Sequence, residues 1–287
     1  MSISLSIKDL ISGAEKKFNT VSYSARLDAE LLLIESLNRC EQGKNYSRSF
    51  LRTWPDKIIE SKAVENFHSL CQQRLAGKPI AYILGHQSFW HFDLKVTEDT
   101  LIPRPDTETL IETALTHLPD GKTLKILDLG TGSGAIALAL AYERPFAEVY
   151  ATDIYLPTAR IAQSNREQNN IQNLSFIISD WLSAFKPNQF DMIVSNPPYI
   201  DADDDKHLKT LKYEPSRALI SKNHGLSDCQ TIIQQAKQHL KQNGMLILEH
   251  GYDQAKEIYN FFQIENYQQI NQQKDLANII RVSYAKI

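Results

Sequence analysis

The chain has 287 residues, of which 42% are apolar and 23% are charged, and these fractions exclude a disordered tail and a fibrous protein. Its 31 basic and 34 acidic side chains give a net charge of −3, which argues against a protein whose main partner is a long phosphate backbone. The length predicts one large domain or two ordinary domains of roughly 150 residues each.

The cysteines and the start of the chain indicate the compartment. Cys40, Cys71 and Cys229 form no CxxC pair and cannot build a disulfide framework or a cysteine-rich zinc site. No apolar run approaches the ~20 residues needed to cross a bilayer, and the first residues lack the pattern of a secretory signal. We therefore expect a soluble, cytoplasmic protein without a membrane partner.

Residues 1–84 have the periodicity of a small helical bundle. Three apolar stripes recur at helical spacing: Ile7, Leu10, Ile11, Ala14 and Phe18; Leu27, Leu31, Ile34 and Leu37; and Val64, Phe67, Cys71 and Leu75. Gly77 followed by Pro79 is a usual end for the last helix.

Residues 85–103 predict a β-hairpin that links two domains. The segment 89–96 is aromatic and partly alternating, a pattern that favours extended chain. Pro103 and Pro105 then break the chain before a helix capped near Asp106 or Thr107. The second domain is expected to span residues 104–287.

The second domain alternates short apolar strands with helices. The predicted strands are 124–129, 147–152, 174–179, 190–195 and 245–249, and the predicted helices are 135–142, 158–169 and 227–242. This alternation indicates an α/β domain with a mostly parallel sheet covered on both faces. Residues 268–271 and 279–284 are expected to pair as an antiparallel hairpin at the edge of that sheet.

A glycine-rich turn follows the first of these strands. Gly130, Thr131, Gly132, Ser133 and Gly134 run directly into a helix, so a ligand can lie against bare backbone beside free N–H groups. The second strand leads to Asp153, a carboxylate placed to accept hydrogen bonds from ribose hydroxyls, and Trp181 follows the third strand as a stacking surface for adenine. These residues leave NAD and S-adenosyl-L-methionine both open, and Asp128 and Gly134 favour the methyl donor.

The fourth strand ends in Asn196, Pro197, Pro198 and Tyr199. In an open parallel sheet this tetrapeptide would lie beside the ligand at the carboxyl ends of the strands. The Asn196 side-chain carbonyl and the Pro197 main-chain carbonyl can each accept one hydrogen of a planar NH₂ group, and neither proline has a competing N–H donor. Tyr199 offers a flat face for stacking an amide or a base.

The motifs together resemble the PrmC/HemK family, the peptide chain release factor glutamine methyltransferases. The matching segments occur in order at 79–85, 89–90, 101–108, 128–134, 196–199, 214–219 and 248–251. The resemblance implies a Rossmann-like class I methyltransferase fold that depends on S-adenosyl-L-methionine and yields S-adenosyl-L-homocysteine. It also implies that the acceptor is the glutamine side-chain amide in the Gly-Gly-Gln motif of class 1 release factors, recognised with the help of the amino-terminal bundle.

The family likewise implies a division of labour among the residues. The glycine turn 130–134, Asp153, Trp181 and Asn196 would bind the donor. Asn196, Pro197 and Tyr199 would be catalytic, and Pro198 would complete the substrate pocket with them. Leu101 and Arg104 are expected at the mouth of this pocket. No metal ion is implied, since the histidines show no metal-ligand spacing.

Three alternatives remain open on the residues. One is a regulatory module that binds the donor without catalysis, which the presence of Asn196 and Tyr199 disfavours. A methyltransferase for adenine or cytosine amino groups in nucleic acid would fit the same acceptors, although Asp201, Asp203, Asp204 and Asp205 beside the motif would repel a phosphate backbone. An NAD-dependent oxidoreductase would use the glycine turn but would leave the segment 196–199 without a task. We expect a monomer that binds no nucleic acid.

Overall fold

The computed structural model describes residues 5–41 and 43–287, and the chain divides into two compact units, Met1–Gly85 and His86–Ile287. The described part of the smaller unit is helical. Its helices are α1 (Ile7–Phe18), α2 (Ala25–Cys40), α3 (Arg48–Thr53), α4 (Ser61–Leu75) and α5 (Ile80–Leu84). Among the described residues, no helix combines the length and the apolar composition needed to cross a membrane.

The first apolar stripe is confirmed, whereas the second is out of phase. All five residues of the first stripe are buried in α1, but Leu27 of the second is exposed. The inward face of α2 carries two buried acids, because Arg74 contacts Asp28 at 2.8 Å and Arg48 contacts Glu30 at 2.7 Å. Counting only apolar residues therefore misplaced the buried face of this helix.

The larger unit begins with a β-hairpin, β1 (His86–Phe89) and β2 (Phe92–Lys95). Its residues Phe89, Phe92 and Leu94 belong to the same buried cluster as the helix α6 (Glu108–His117), so the hairpin is part of this unit. A single turn of 3-10 helix, Pro105–Thr107, precedes α6. Thr107 is the N-cap of α6, as predicted, although its side chain makes no capping hydrogen bond.

A seven-stranded sheet forms the centre of the larger unit. After α6, the strands and helices of this unit are β3 (Lys125–Leu129), α7 (Ala135–Glu143), β4 (Glu148–Asp153), α8 (Leu156–Gln168), β5 (Leu174–Ile178), β6 (Phe190–Ser195), β7 (Ile200–Asp201), α9 (Asp205–Thr210), β8 (Ile220–Ser221), α10 (Lys222–Gly225), α11 (Ser227–His239), β9 (Leu240–Glu249), α12 (Ala255–Ile264), β10 (Gln268–Lys274) and β11 (Ile280–Lys286). The strand order is β10-β11-β9-β6-β3-β4-β5, and β7 pairs separately with β8.

The sheet confirms the predicted class. Strands β9, β6, β3, β4 and β5 are parallel, and β10 and β11 form an antiparallel hairpin at the edge next to β9. The helix predicted over 227–242 ends earlier, at His239, and β9 starts at Leu240 with an irregular register before Met245. Asn243 and Gly244 lie within this irregular stretch, and Asn243 has a positive φ of 63°.

The strand order reverses between β3 and β6, which is where open α/β sheets bind their ligands. Leu129 pairs with Ser195 at the carboxyl ends of these strands, so the glycine turn and Asn196 start side by side. The Ser195 hydroxyl also donates to the Leu129 carbonyl oxygen at 2.8 Å. The fold therefore brings together the two segments that carry the predicted chemistry.

Candidate active site

A cavity of about 390 Å³ opens beyond the carboxyl ends of β3, β4 and β5. Its volume is that of a pocket for a small molecule or cofactor. Seven of the sequence-predicted residues line it: Leu101, Gly130, Gly132, Asp153, Trp181, Asn196 and Pro198. Asp180 also contributes to its wall.

Glycine is favoured at position 130 by the backbone conformation and by the Trp181 indole, which lies against it. Gly130 has a φ of +67°, and a Cβ atom there would meet the Trp181 ring at 3.3 Å. Trp181 itself has a φ of 44°, which L residues rarely adopt and which turns the chain sharply after β5. The turn and the indole thus form one continuous wall of the cavity.

Buried side chains on the side away from the cavity support the remaining residues of the glycine turn. The Thr131 hydroxyl donates to Asp128 at 2.6 Å, and the Ser133 carbonyl oxygen accepts a hydrogen bond from the buried Asn165 at 2.8 Å. Gly134 packs against α8, since a Cβ atom there would lie 3.2 Å from Ala162. Thr131 and Ser133 are buried, so their side chains support the turn.

Two carboxyl groups at this end of the sheet titrate abnormally. Burial raises the pKa of Asp128 to about 7, although the Thr131 hydrogen bond opposes this effect. Burial also raises the pKa of Asp153, while amide hydrogen bonds from Tyr155 at 2.9 Å and Gly132 at 3.2 Å lower it. Asp153 thus joins the ends of β4 and the glycine turn while it faces the cavity.

A second, smaller cavity of about 60 Å³ lies on the other side of Asn196. Pro197, Tyr199, Leu101 and Arg104 line it, and Asn196 and Leu101 line both cavities. Arg104 forms a salt bridge with the buried Glu214, whose other oxygen accepts from the Ile102 amide at 3.2 Å. Glu214 therefore anchors the segment that walls the smaller cavity.

The Asn196 amide has a defined orientation. Its NH₂ group donates to the Thr107 hydroxyl at 3.2 Å, which leaves its carbonyl oxygen available as an acceptor. Among the described residues, no hydrogen bond is made to the Pro197 carbonyl oxygen. Two acceptor oxygens are thus available where the two cavities meet.

The Tyr199 backbone is fixed by a clamp that the sequence did not reveal. Gln254 donates from its side-chain NH₂ to the Tyr199 carbonyl oxygen at 2.9 Å and to the His224 carbonyl oxygen at 3.2 Å. Gly225, with a φ of +79°, packs so closely that a Cβ atom would lie 2.1 Å from the Tyr199 oxygen. Burial raises the pKa of the Tyr199 hydroxyl, so this side chain stays neutral.

Glu249 is a second residue that the sequence analysis did not place in the site. It ends β9 beside Asn196 and is 2% exposed. Burial raises its pKa to about 7. The available signal was its position, since an acidic residue directly follows a buried apolar strand that neighbours β6.

Comparison with known proteins finds family matches in both units of the chain and relatives that match over most of its length. The family described as PrmC N-terminal domain matches residues 9–85, and the family described as Methyltransferase small domain matches residues 106–213. A release factor glutamine methyltransferase of Coxiella burnetii is 44% identical over 282 residues, which cover 98% of this chain and 99% of that protein. One from Pseudomonas aeruginosa is 45% identical over 264 residues, which cover 91% and 92% respectively.

A solved structure supports the fold. The crystal structure of a methyltransferase from Pyrococcus furiosus has a TM-score of 0.50 and 21% identity to this chain, and the match covers 75% of this chain and 95% of that one. The larger unit thus has the class I methyltransferase fold that the sequence predicted. With full-length relatives well above 30% identity, the chain belongs to the release factor glutamine methyltransferase family.

Proposed function

We propose that this protein transfers a methyl group from S-adenosyl-L-methionine to the glutamine side-chain amide nitrogen in the Gly-Gly-Gln motif of class 1 peptide chain release factors, releasing S-adenosyl-L-homocysteine and modulating translation termination. The carrying observation is Asn196, which lies between the two cavities with its NH₂ group held by Thr107. Its carbonyl oxygen and that of Pro197 are then two acceptors for one primary amide.

The larger cavity fits the donor. Its floor is bare glycine backbone, Asp153 offers carboxylate oxygens for ribose hydroxyls, and Trp181 offers a ring for adenine. When bound, S-adenosyl-L-methionine supplies an electrophilic methyl group on a positively charged sulfur. We assign donor binding to the turn 130–134 with Asp153, Trp181 and Asn196.

The smaller cavity suits the end of an acceptor side chain, since about 60 Å³ exceeds the ~10–15 Å³ that one water needs. Asn196 and Pro197 would accept the two amide hydrogens, and the Tyr199 ring would stack on the amide plane. Pro198 lines the larger cavity, and it would complete the acceptor pocket from that side. A carboxamide nitrogen is a weak nucleophile, so alignment supplies the catalysis, and well-oriented reactants gain roughly 7–11 kcal/mol.

The amino-terminal bundle is the proposed recognition domain for the release factor, in keeping with the family matched at residues 9–85. We further propose that the protein acts as a monomer in the cytoplasm. A nucleic-acid amino group is the competing acceptor, and the exposed Asp203 and Asp205 beside the site disfavour a phosphate backbone.

The test is methyl transfer from labelled donor to a purified class 1 release factor, followed by mapping of the modified peptide. We expect one methyl group on the motif glutamine with wild-type protein and a severe loss of turnover with Asn196→Ala, which should still fold. A release factor with glutamate in place of that glutamine is the matched control, because it lacks the NH₂ group. Label on nucleic acid, or wild-type turnover by Asn196→Ala, would contradict the proposal.

A further inference from the structure

A chain of polar side chains lies behind Asn196 and connects it to Glu249. Ser195 pairs with Leu248 in the parallel ladder of β6 and β9, so Asn196 and Glu249 follow side by side at the strand ends. Thr107, in the turn before α6, is 4% exposed and accepts the hydrogen bond from the Asn196 NH₂ group. Burial raises the pKa of Glu249, and hydrogen bonding of Thr107 and Asn196 to its carboxyl group opposes this effect.

The carboxylate sets the direction of every hydrogen bond in this chain. An ionised carboxylate can only accept, whereas a hydroxyl can donate and accept at once. When the Thr107 proton is directed at Glu249, its oxygen lone pairs face the Asn196 NH₂ group. The Asn196 amide must then present its carbonyl oxygen, and not its NH₂ group, to the cavities.

We propose that Glu249, acting through Thr107, is a positioning residue that fixes the Asn196 amide with its oxygen towards the methyl acceptor. The inference rests on the proposed function, since it concerns how Asn196 holds a primary amide. It assigns a task to a buried acid whose Oε2 atom has no hydrogen-bond partner among the described residues.

Protonation of Glu249 would reverse the direction of the hydrogen bonds that connect it to Asn196. The neutral acid donates to Thr107, whose hydroxyl then donates to the Asn196 oxygen, and the Asn196 NH₂ group turns towards the acceptor. Burial raises the Glu249 pKa to about 7, Arg281 on β11 lowers it, and Asp106 before α6 raises it. Because the ionised form is the competent one, turnover is lost as the pH falls through this pKa.

The experiment measures kcat for release factor methylation, with saturating donor and acceptor, across the pH range around neutrality. Glu249→Gln and Thr107→Val should lower kcat on the order of 10²-fold, the effect of a misplacement of about 1 Å, with an unchanged donor Kd. Thr107→Ser should restore most of the turnover that Thr107→Val loses. The acid-side decline of wild-type kcat should disappear in Glu249→Gln.

Thr113→Val is the matched control, because Thr113 is a buried threonine of α6 whose hydroxyl donates to the Thr109 carbonyl oxygen at 2.7 Å. It should leave kcat and its pH profile unchanged. If Glu249→Gln does not fold, the question is decided by Thr107→Val, which keeps the shape of threonine, together with Thr107→Ser, which keeps its hydroxyl. Wild-type kcat and pH profile in Glu249→Gln or in Thr107→Val would overturn the inference alone, whereas an inactive wild-type protein would overturn the proposed function.

Discussion

Gly225→Ala should separate the acceptor side of the site from the donor side. Gly225 does not line the larger cavity, yet it packs closely against the backbone of Tyr199, in the segment that holds the acceptor. An added Cβ atom would lie 2.1 Å from the Tyr199 carbonyl oxygen and 2.7 Å from the Gln254 side-chain nitrogen. Both atoms belong to the clamp that fixes Tyr199.

The size of the effect follows from these distances. Real Cβ atoms essentially never come within 3.0 Å of another heavy atom, so Gly225 and the Tyr199 carbonyl oxygen have to separate by about 0.9 Å. Buried and tightly packed backbone transmits such a shift to its neighbours. A misplacement of about 1 Å in an active site can lower turnover on the order of 10²-fold, and we expect that loss in kcat.

The assay combines release factor methylation with calorimetric titration of the donor. We expect kcat to fall on the order of 10²-fold while the donor Kd stays within about twofold of wild type. Gly121→Ala is the matched control, since Gly121 also has a positive φ, of 71°, but nothing within 4 Å of the added Cβ atom. The Gly121→Ala variant has only the backbone strain, which lowers its free energy of unfolding by roughly 1–2 kcal/mol. Unchanged kcat in Gly225→Ala would refute the proposed dependence on the Tyr199 clamp.

Two further predictions concern donor binding, and a third concerns the pH dependence of stability. Asp153→Ala should raise the donor Kd about tenfold or more, since each hydrogen bond to a charged group contributes roughly 1.5–3 kcal/mol, and an unchanged Kd would contradict the ribose assignment. Trp181→Ala should weaken donor binding by about tenfold, because stacking on a base contributes roughly 1–3 kcal/mol, and Trp181→Phe should recover part of that loss in the same titration. Burial raises the pKa of Asp128 to about 7, above its value in the unfolded chain, so the folded state binds more protons and loses stability as the pH rises towards 7. Urea unfolding at acidic and alkaline pH should show a flatter pH dependence in Asp128→Asn, and parallel curves would argue against this titration.

The architecture of the larger unit was predictable because its strands are short apolar runs between clear helices. The strand predicted over 190–195 coincides with β6, and the late hairpin at the sheet edge is present as β10 and β11. Helix α12 was missed, although Ile258 and Phe262 bury one of its faces. The two buried acids of α2 could not be foreseen, because the arginine that pairs with Asp28 lies 46 residues further along the chain.

The site was predictable where backbone chemistry dictates the residue. A glycine at a strand-to-helix turn, or a proline without an N–H group, indicates its function by its residue type. The residue types of the side chains that support them do not indicate their function. Thr107 is the N-cap of α6, but its hydroxyl accepts from Asn196 and does not cap the helix. Gln254, the residue before α12, reaches the Tyr199 carbonyl oxygen only in the folded chain.

The most direct test of the geometric claim is a crystal structure of the protein with S-adenosyl-L-homocysteine and a class 1 release factor. The predicted result is a glutamine side-chain nitrogen within about 3 Å of both the Asn196 Oδ1 atom and the Pro197 carbonyl oxygen, with the nitrogen facing the sulfur of the donor product. A glutamine amide bound elsewhere, or an Asn196 amide that presents its NH₂ group to the acceptor, would contradict it.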